Sequence, residues 1–250
     1  MARLALISDI HGNGVALDAV LADVAAGEVA QIVCLGDVAA GGPQPRQVLR
    51  RLRELGCRAV RGNADGWLLD GLPAGRSEAT RRLAETVGWA RAQLGDDDLA
   101  YVAALPGSVR CYVDGLELFC CHGSPRSDLE PLLGTTSDTT LDELFACTGA
   151  RVLAAGHTHV QVLRRHGDGL LVNPGSVGLP LGATTRSAPP LPNLAEYALV
   201  TVRDGNLDVA FRRLSTDVDA LRAASTTMPH ATWASDLEQR IRRWNARASQ

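Results

Sequence analysis

Seven side chains able to hold a metal ion occur in five short blocks of the sequence: Asp9 and His11 in SDIHGN, Asp37 after Gly36, Asn63 after Gly62, His122 before Gly123, and His157 and His159 in GHTH. Carboxylates, imidazoles and one amide oxygen, with no thiolate, make a mixed nitrogen and oxygen set suited to divalent manganese, iron or zinc. Seven groups exceed what one tetrahedral ion accepts, so the count predicts two ions that share a carboxylate. An extended Asp-x-His or His-x-His turns both side chains to one side of the chain, so each pair is expected to grip from one face. The neighbouring glycines let the backbone turn sharply close to an ion.

Such a set works only if the chain brings the five blocks together. Residues 3–8 read as a buried strand, and 14–25 place Leu17, Val20, Leu21 and Val24 at helical spacing. A strand at 31–35, a helix opened by Pro45 with Val48, Leu49, Leu52 and Leu55, and a strand at 58–61 complete a βαβαβ pattern with parallel strands. Helices are expected at 77–94 and 96–104, the second on an acidic first turn. After Pro106 the pattern changes to strands flanking Asp114-Gly115, Asp168-Gly169 and Asp204-Gly205, three hairpin signals, with a helix at 139–148 and a strand at 151–155 between the first two. Every block then falls at the C-terminal end of a predicted strand, where α/β sheets bind ligands.

Composition removes several alternatives. The chain has 250 residues, 46% hydrophobic and 21% charged, as expected of one globular domain over 1–250 with a C-terminal helical extension at about 216–250. All 25 basic residues are arginine, which excludes a P-loop lysine or a Schiff-base lysine. A net charge of −3 provides no basic field for nucleic acid. The six cysteines show no CxxC spacing and read as buried free thiols. No run of about 20 apolar residues offers a membrane span, and the ARLALIS start is too short for a signal peptide, so a cytoplasmic location is expected. Gly12-Asn13-Gly14 lacks the third glycine of a dinucleotide fingerprint, and Ser176 is expected to serve a tight turn rather than act as a nucleophile. Residues 179–194 read as a proline-rich loop, and 230–248, with Trp233, Leu237, Ile241 and Trp244 at helical spacing, as a docked terminal helix. Arg186 and Trp67 are candidates to reach a substrate.

Taken singly, the five blocks are common. In order, SDIHGN, GD, GN-x-D, HG and GHTH resemble the calcineurin-like metallophosphoesterase superfamily, and NPGSVG at 173–178 is similar to its small bacterial phosphodiesterase branch. The resemblance runs from Asp9 to Gly178. It implies an α/β double β-sandwich, two packed mixed sheets flanked by helices. It further implies one ion held by Asp9, His11, Asp37 and His159 and a second held by Asp37, Asn63, His122 and His157, with Asp37 as the bridge and Asp37, Asn63 and His122 at the reacting centre. The ions would be manganese, iron, zinc or nickel, and a hydroxide bridging them would attack a small phosphate-ester substrate, most simply a phosphodiester. Neither a membrane nor nucleic acid is an expected partner, and a homo-oligomer is compatible with the sequence.

One residue departs from the resembled motif. The family reads Gly-Asn-His-Asp/Glu, whose histidine binds phosphate and protonates the leaving group, and this chain has Ala64 at that place. The ligand set survives, while proton delivery does not, a difference worth about 10²–10⁴ in rate for poor leaving groups. The alternatives to a phosphodiesterase are a metal-binding scaffold of the same fold with little catalysis, a nuclease and a phosphoprotein phosphatase. The segments 64–76, 124–138 and 179–194 are expected to form the loops that set specificity.

Overall fold

Strand β1 (Ala2–Ile7) shows how the layers arise. Successive side chains of a strand point to opposite faces. Leu4 and Leu6 enter a buried cluster with Val33, Leu118, Val152 and Val200, whereas Ala5 and Ile7 lie in another with Leu17, Val20 and Leu49. The first cluster joins two sheets face to face and the second joins a sheet to its helices. The computed structural model describes residues 2–73, 75, 77–180, 194–203 and 205–229.

In the first sheet, β2 (Gln31–Cys34) and β3 (Arg58–Ala59) run parallel to β1, connected through α1 (Gly14–Ala26) and α2 (Pro45–Glu54). Asn13 caps α1 by accepting from the Ala16 amide at 3.0 Å, and Pro45 begins α2, where its missing N–H costs nothing. β9 (Leu194–Arg203) and β10 (Asn206–Ser215) add antiparallel strands on the far side of β1, giving the order β10-β9-β1-β2-β3. The second sheet has the order β4-β5-β6-β8-β7, built from β4 (Ser108–Val113), β5 (Leu116–Cys121), β6 (Val152–Ala154), β7 (Gln161–His166) and β8 (Gly169–Pro174). Here β5, β6 and β8 are parallel, and α6 (Asp138–Thr148) covers the outer face through Leu141 and Leu144 against Leu153 and Leu171. Helices α3 (Asn63–Asp70), α4 (Glu78–Ala92) and α5 (Asp96–Ala104) follow β3, and α7 (Val218–Ala224) with a 3-10 turn at Ser225–Thr227 follows β10. The two mixed sheets flanked by helices are the architecture expected from the sequence.

The differences are local. Residues 63–70 are a helix rather than part of a loop, because Asp65 folds back onto the Gly62 amide and caps the first turn. The β7–β8 turn is Gly167-Asp168, and Gly169 already pairs with His166 as the first residue of β8. Leu55 lies just past α2 and is 45% exposed, so the buried face of that helix ends at Leu52. Four cysteines are buried as expected, but Cys57 is half-buried and Cys147 is exposed. The terminal helix expected at 230–248, most of the loop at 179–194 including Arg186, and Asp204 lie outside the described residues. No described helix is long and apolar enough to cross a membrane.

Candidate metal centre

The C-terminal ends of β1, β2, β3, β5 and β6 open onto one edge of the sandwich, and each delivers one of the five blocks there. The blocks do not stay extended. Asp9 (φ 53°), His11 (φ 48°), Asp37 (φ 54°), His157 (φ 67°) and His159 (φ 57°) all adopt the left-handed region. The expectation that Asp-x-His and His-x-His grip as pleated pairs is therefore wrong: each side chain is aimed by a backbone kink of its own. Among the described non-glycine residues only Glu28 and Asp114 share this conformation without belonging to the candidate set. Each such residue costs roughly 1–2 kcal/mol, least for Asp and His types, and such strain gathers at functional sites.

Backbone hydrogen bonds hold the kinks in place. The Asp9 and His11 amides donate to the carbonyls of Gly36 and Asp37 at 3.0 and 2.9 Å, locking the end of β1 onto the end of β2. Gly62 must be glycine for lack of space: a Cβ there would lie 2.2 Å from Asp37 Oδ1 and 2.5 Å from the Asp37 amide nitrogen. The second sheet joins through the His122 ring, whose Nδ1 donates to Leu35 O at 2.7 Å.

Six of the seven candidates converge. His11 Nδ1 donates to Ala40 O and His159 Nδ1 to Leu179 O, each at 2.8 Å. A carbonyl only accepts, so in all three of these imidazoles the hydrogen is fixed on Nδ1 and Nε2 is turned inward, as a metal-ligating histidine requires. The Nε2 atoms of His11 and His159 lie 3.0 Å apart, and His122 Nε2 lies 3.0 Å from Asn63 Oδ1. Asp9 Oδ1 is 3.3 Å from His159 Nε2, 3.8 Å from His11 Nε2 and 4.0 Å from His122 Nε2. Asp37 Oδ2 is 3.7 Å from His11 Nε2 and 3.4 Å from His122 Nε2. Ligand atoms of Asp9, His11 and His159 form one cluster and those of Asp9, Asp37 and His122 a second, so Asp9, like Asp37, stands between the two histidine groups. The seventh candidate, His157, sits at the rim: its ring packs edge-on to His122 at 5.2 Å, and its amide donates to Asp9 Oδ2 at 3.0 Å.

Electrostatics show what the cluster lacks. Burial disfavours charge on Asp9 and Asp37, yet nearby imidazoles, His159 foremost for Asp9 and His122 for Asp37, hold both carboxyls below their usual range. Burial likewise opposes a charged His122, but Asp37 and then Asp9 push it up to about 10, and Asp9 raises His159 in the same way. Burial lowers His11, and it lowers His157 with His122 adding to the effect. Carboxylates and imidazoles thus favour one another's charged forms against the cost of burial. Asp9 Oδ1 is buried with no hydrogen-bond partner. An orphaned carboxylate oxygen, three Nε2 atoms turned inward by the bonds at Nδ1, and two carboxylates between them fit divalent cations.

Several residues outside the candidate set support the centre. Asp65 accepts from the amides of Val38 at 2.9 Å and Gly62 at 3.0 Å, clamping the ends of β2 and β3; burial and Asp37 push its carboxyl up to about 7. Ser176 serves the expected turn, donating to Asp9 O at 2.7 Å and accepting from the Leu179 amide at 2.8 Å, which positions the Leu179 carbonyl under His159. Asn173 donates to Gly156 O at 2.7 Å and to Thr158 Oγ1 at 3.0 Å, bracing the GHTH turn. The Ala64 amide donates to Asp37 Oδ1 at 2.7 Å, which leaves Oδ2 for the imidazoles, and its methyl is buried beside His11 and His159.

The model of the calcineurin-like phosphoesterase superfamily domain matches residues 2–205. An uncharacterized protein of Methanocaldococcus jannaschii is 24% identical over 221 residues, covering 82% of this chain and 85% of its own. A metallophosphoesterase from Sphaerobacter thermophilus is 26% identical, with a TM-score of 0.72 over 95% of this chain and 98% of that one. A hypothetical protein from Pyrococcus horikoshii shares the fold at a TM-score of 0.77 and 20% identity, over 94% of this chain and 97% of that one. The family match covers every block of the candidate centre and the fold agrees over nearly the whole length, so the chain belongs to the calcineurin-like phosphoesterase superfamily, whose members use divalent metals.

Proposed function

We propose that the protein is a dinuclear metal-dependent phosphodiesterase. The observation that carries this reading is the convergence of the inward Nε2 atoms of His11, His122 and His159 on the carboxylates of Asp9 and Asp37, one of whose oxygens is buried without a partner. Asp9, His11, Asp37 and His159 would hold one ion, and Asp37, Asn63, His122 and His157 the other. When bound, such ions polarise phosphoryl oxygens and lower the pKa of bound water, so that a nucleophile forms near neutral pH.

The chain's own residues prepare that chemistry. The carbonyls of Leu35, Ala40 and Leu179 orient three imidazoles, and the Ala64 amide orients Asp37, so little reorganisation remains when a substrate arrives. Asp65 does not replace the missing proton donor, since both its oxygens are taken by backbone amides. Esters whose leaving groups depart without protonation are therefore the favoured substrates.

Ala64 also supports a second reading, a scaffold that binds metal and turns over little. Turnover of an activated aryl phosphodiester separates the two. Metal-loaded wild type is expected to hydrolyse it and Asp37→Ala to lose at least about a hundredfold in kcat/KM. Absence of turnover from fully metallated protein would favour the scaffold.

A further inference from the structure

A cavity of about 200 Å3 opens beside the candidate centre, between α3 and α4. His11 and His159 form one wall, Ala64 lies at its inner end, and Trp67, Leu83 and Val87 supply the apolar sides. Among the described residues no carboxylate or guanidinium lines it, and the hydroxyl of Thr86 at its wall is already donated to Arg82 O at 2.9 Å. A sugar or a second phosphate entering here would lose its water partners without finding new ones, which is costly. An apolar ring would lose nothing. An engineered apolar cavity of about 150 Å3 holds benzene, so this one has room for a single ring. Leu83 at the mouth is 38% exposed, which leaves the entrance open. Because one wall is formed by the imidazoles themselves, a ring seated here lies next to a phosphoryl group at the centre.

We infer that this cavity is a specificity pocket for an aromatic or similarly compact apolar ester group, making ring-bearing phosphoesters the substrate class. The inference rests on the phosphodiesterase reading above. It also gives the alanine a use: an imidazole at position 64 would fill the inner end of the cavity that the methyl leaves free.

Phosphonates, which cannot be hydrolysed, test this by binding alone. Phenylphosphonate, methylphosphonate and inorganic phosphate are titrated calorimetrically into manganese-loaded protein. Burying the ring is expected to make phenylphosphonate bind roughly 10- to 100-fold more tightly than methylphosphonate. Leu83→Glu and Trp67→Ala should each pull that ratio toward one, Leu83→Met should keep it, and melting curves show that each variant is folded. Leu83 is exposed enough to vary safely even if Trp67→Ala unfolds. A ratio near one in wild type, or an unchanged ratio in Leu83→Glu, overturns the pocket while leaving the metal reading intact, provided phosphate still binds. If the metallated protein binds none of the three, the phosphodiesterase reading fails, and the pocket with it.

Discussion

Replacing Gly62 by alanine tests how tightly the candidate centre is built, because that substitution adds one methyl group and removes nothing. Gly62 has φ −97° and ψ 176°, an extended conformation open to any residue, so no backbone strain accompanies the change. The added Cβ would lie 2.2 Å from Asp37 Oδ1, 2.5 Å from its amide nitrogen and 2.9 Å from its Cγ. Relief needs a shift of about 1 Å in the end of β2 or β3, whereas metal–ligand distances tolerate only about 0.2 Å. Metal affinity is expected to fall about 10- to 100-fold, with kcat/KM falling about a hundredfold, the usual cost of a 1 Å misplacement. Overpacking of about 1–3 kcal/mol should lower Tm by roughly 2–12 °C. Gly66→Ala is the matched control, since it lies in the helix that Gly62 precedes, with nothing within 4 Å of its added Cβ. It should leave metal affinity alone and stabilise by about 0.5–1 kcal/mol through helix propensity. Calorimetric metal titration of the two variants decides the matter: if Gly62→Ala binds metal as wild type does, the close approach of β3 to Asp37 does not set the centre.

The other expectations concern protons, stability and the leaving group. In metal-free protein at pH 7, His122, pushed up to about 10, carries a proton that an ion at Nε2 must displace, so metal binding should release protons, seen as a buffer-dependent enthalpy. The sign for stability follows: the folded-state pKa of His122 exceeds its ordinary 6.5, so its contribution is complete below pH 6.5 and fades as pH rises toward 10. Metal-free protein should accordingly weaken across that window while metal-loaded protein does not. A chelator should lower Tm, because an ion at a hundred times its Kd adds about 2.7 kcal/mol, or roughly 5–10 °C for a chain of this size; an unchanged melting curve after proven metal removal would refute a centre that joins the two sheets. Ala64→His, with the neighbouring cavity to receive its ring, should speed esters with basic leaving groups by up to about 10²–10⁴ and aryl esters far less, while lowering the preference for phenylphosphonate. Equal gains across a leaving-group series would show that the position does not govern proton delivery.

Much of this architecture is legible in the sequence because it follows from periodicity. The short apolar run at 3–8, the helical spacing of Leu17, Val20 and Val24, and Asp114-Gly115 between two strands each encode their element locally. The blocks of the candidate centre are legible for another reason: residues of metal-ligating types follow five predicted strands one after another. What stays hidden depends on the third dimension. Nothing local says that Asp9, His11 and Asp37 leave the strand for the left-handed region, since that conformation is held by hydrogen bonds between strand ends. Helix α3 is missed because its start is fixed by Asp65 reaching back to Gly62, a cap that looks in sequence like one more candidate ligand. The cavity between α3 and α4 joins Ala64 and Trp67 to Leu83 and Val87, residues that only the packing of two helices brings together.

The most direct test of the central claim is metal stoichiometry by elemental analysis of protein saturated with manganese or zinc and freed of excess ion. Two ions per chain are expected in wild type, Asp37→Ala should retain neither firmly, and His159→Ala should chiefly lose one. Wild type that holds no ion, or Asp37→Ala that still holds two, would contradict a dinuclear centre built on Asp9, His11, Asp37, Asn63, His122, His157 and His159.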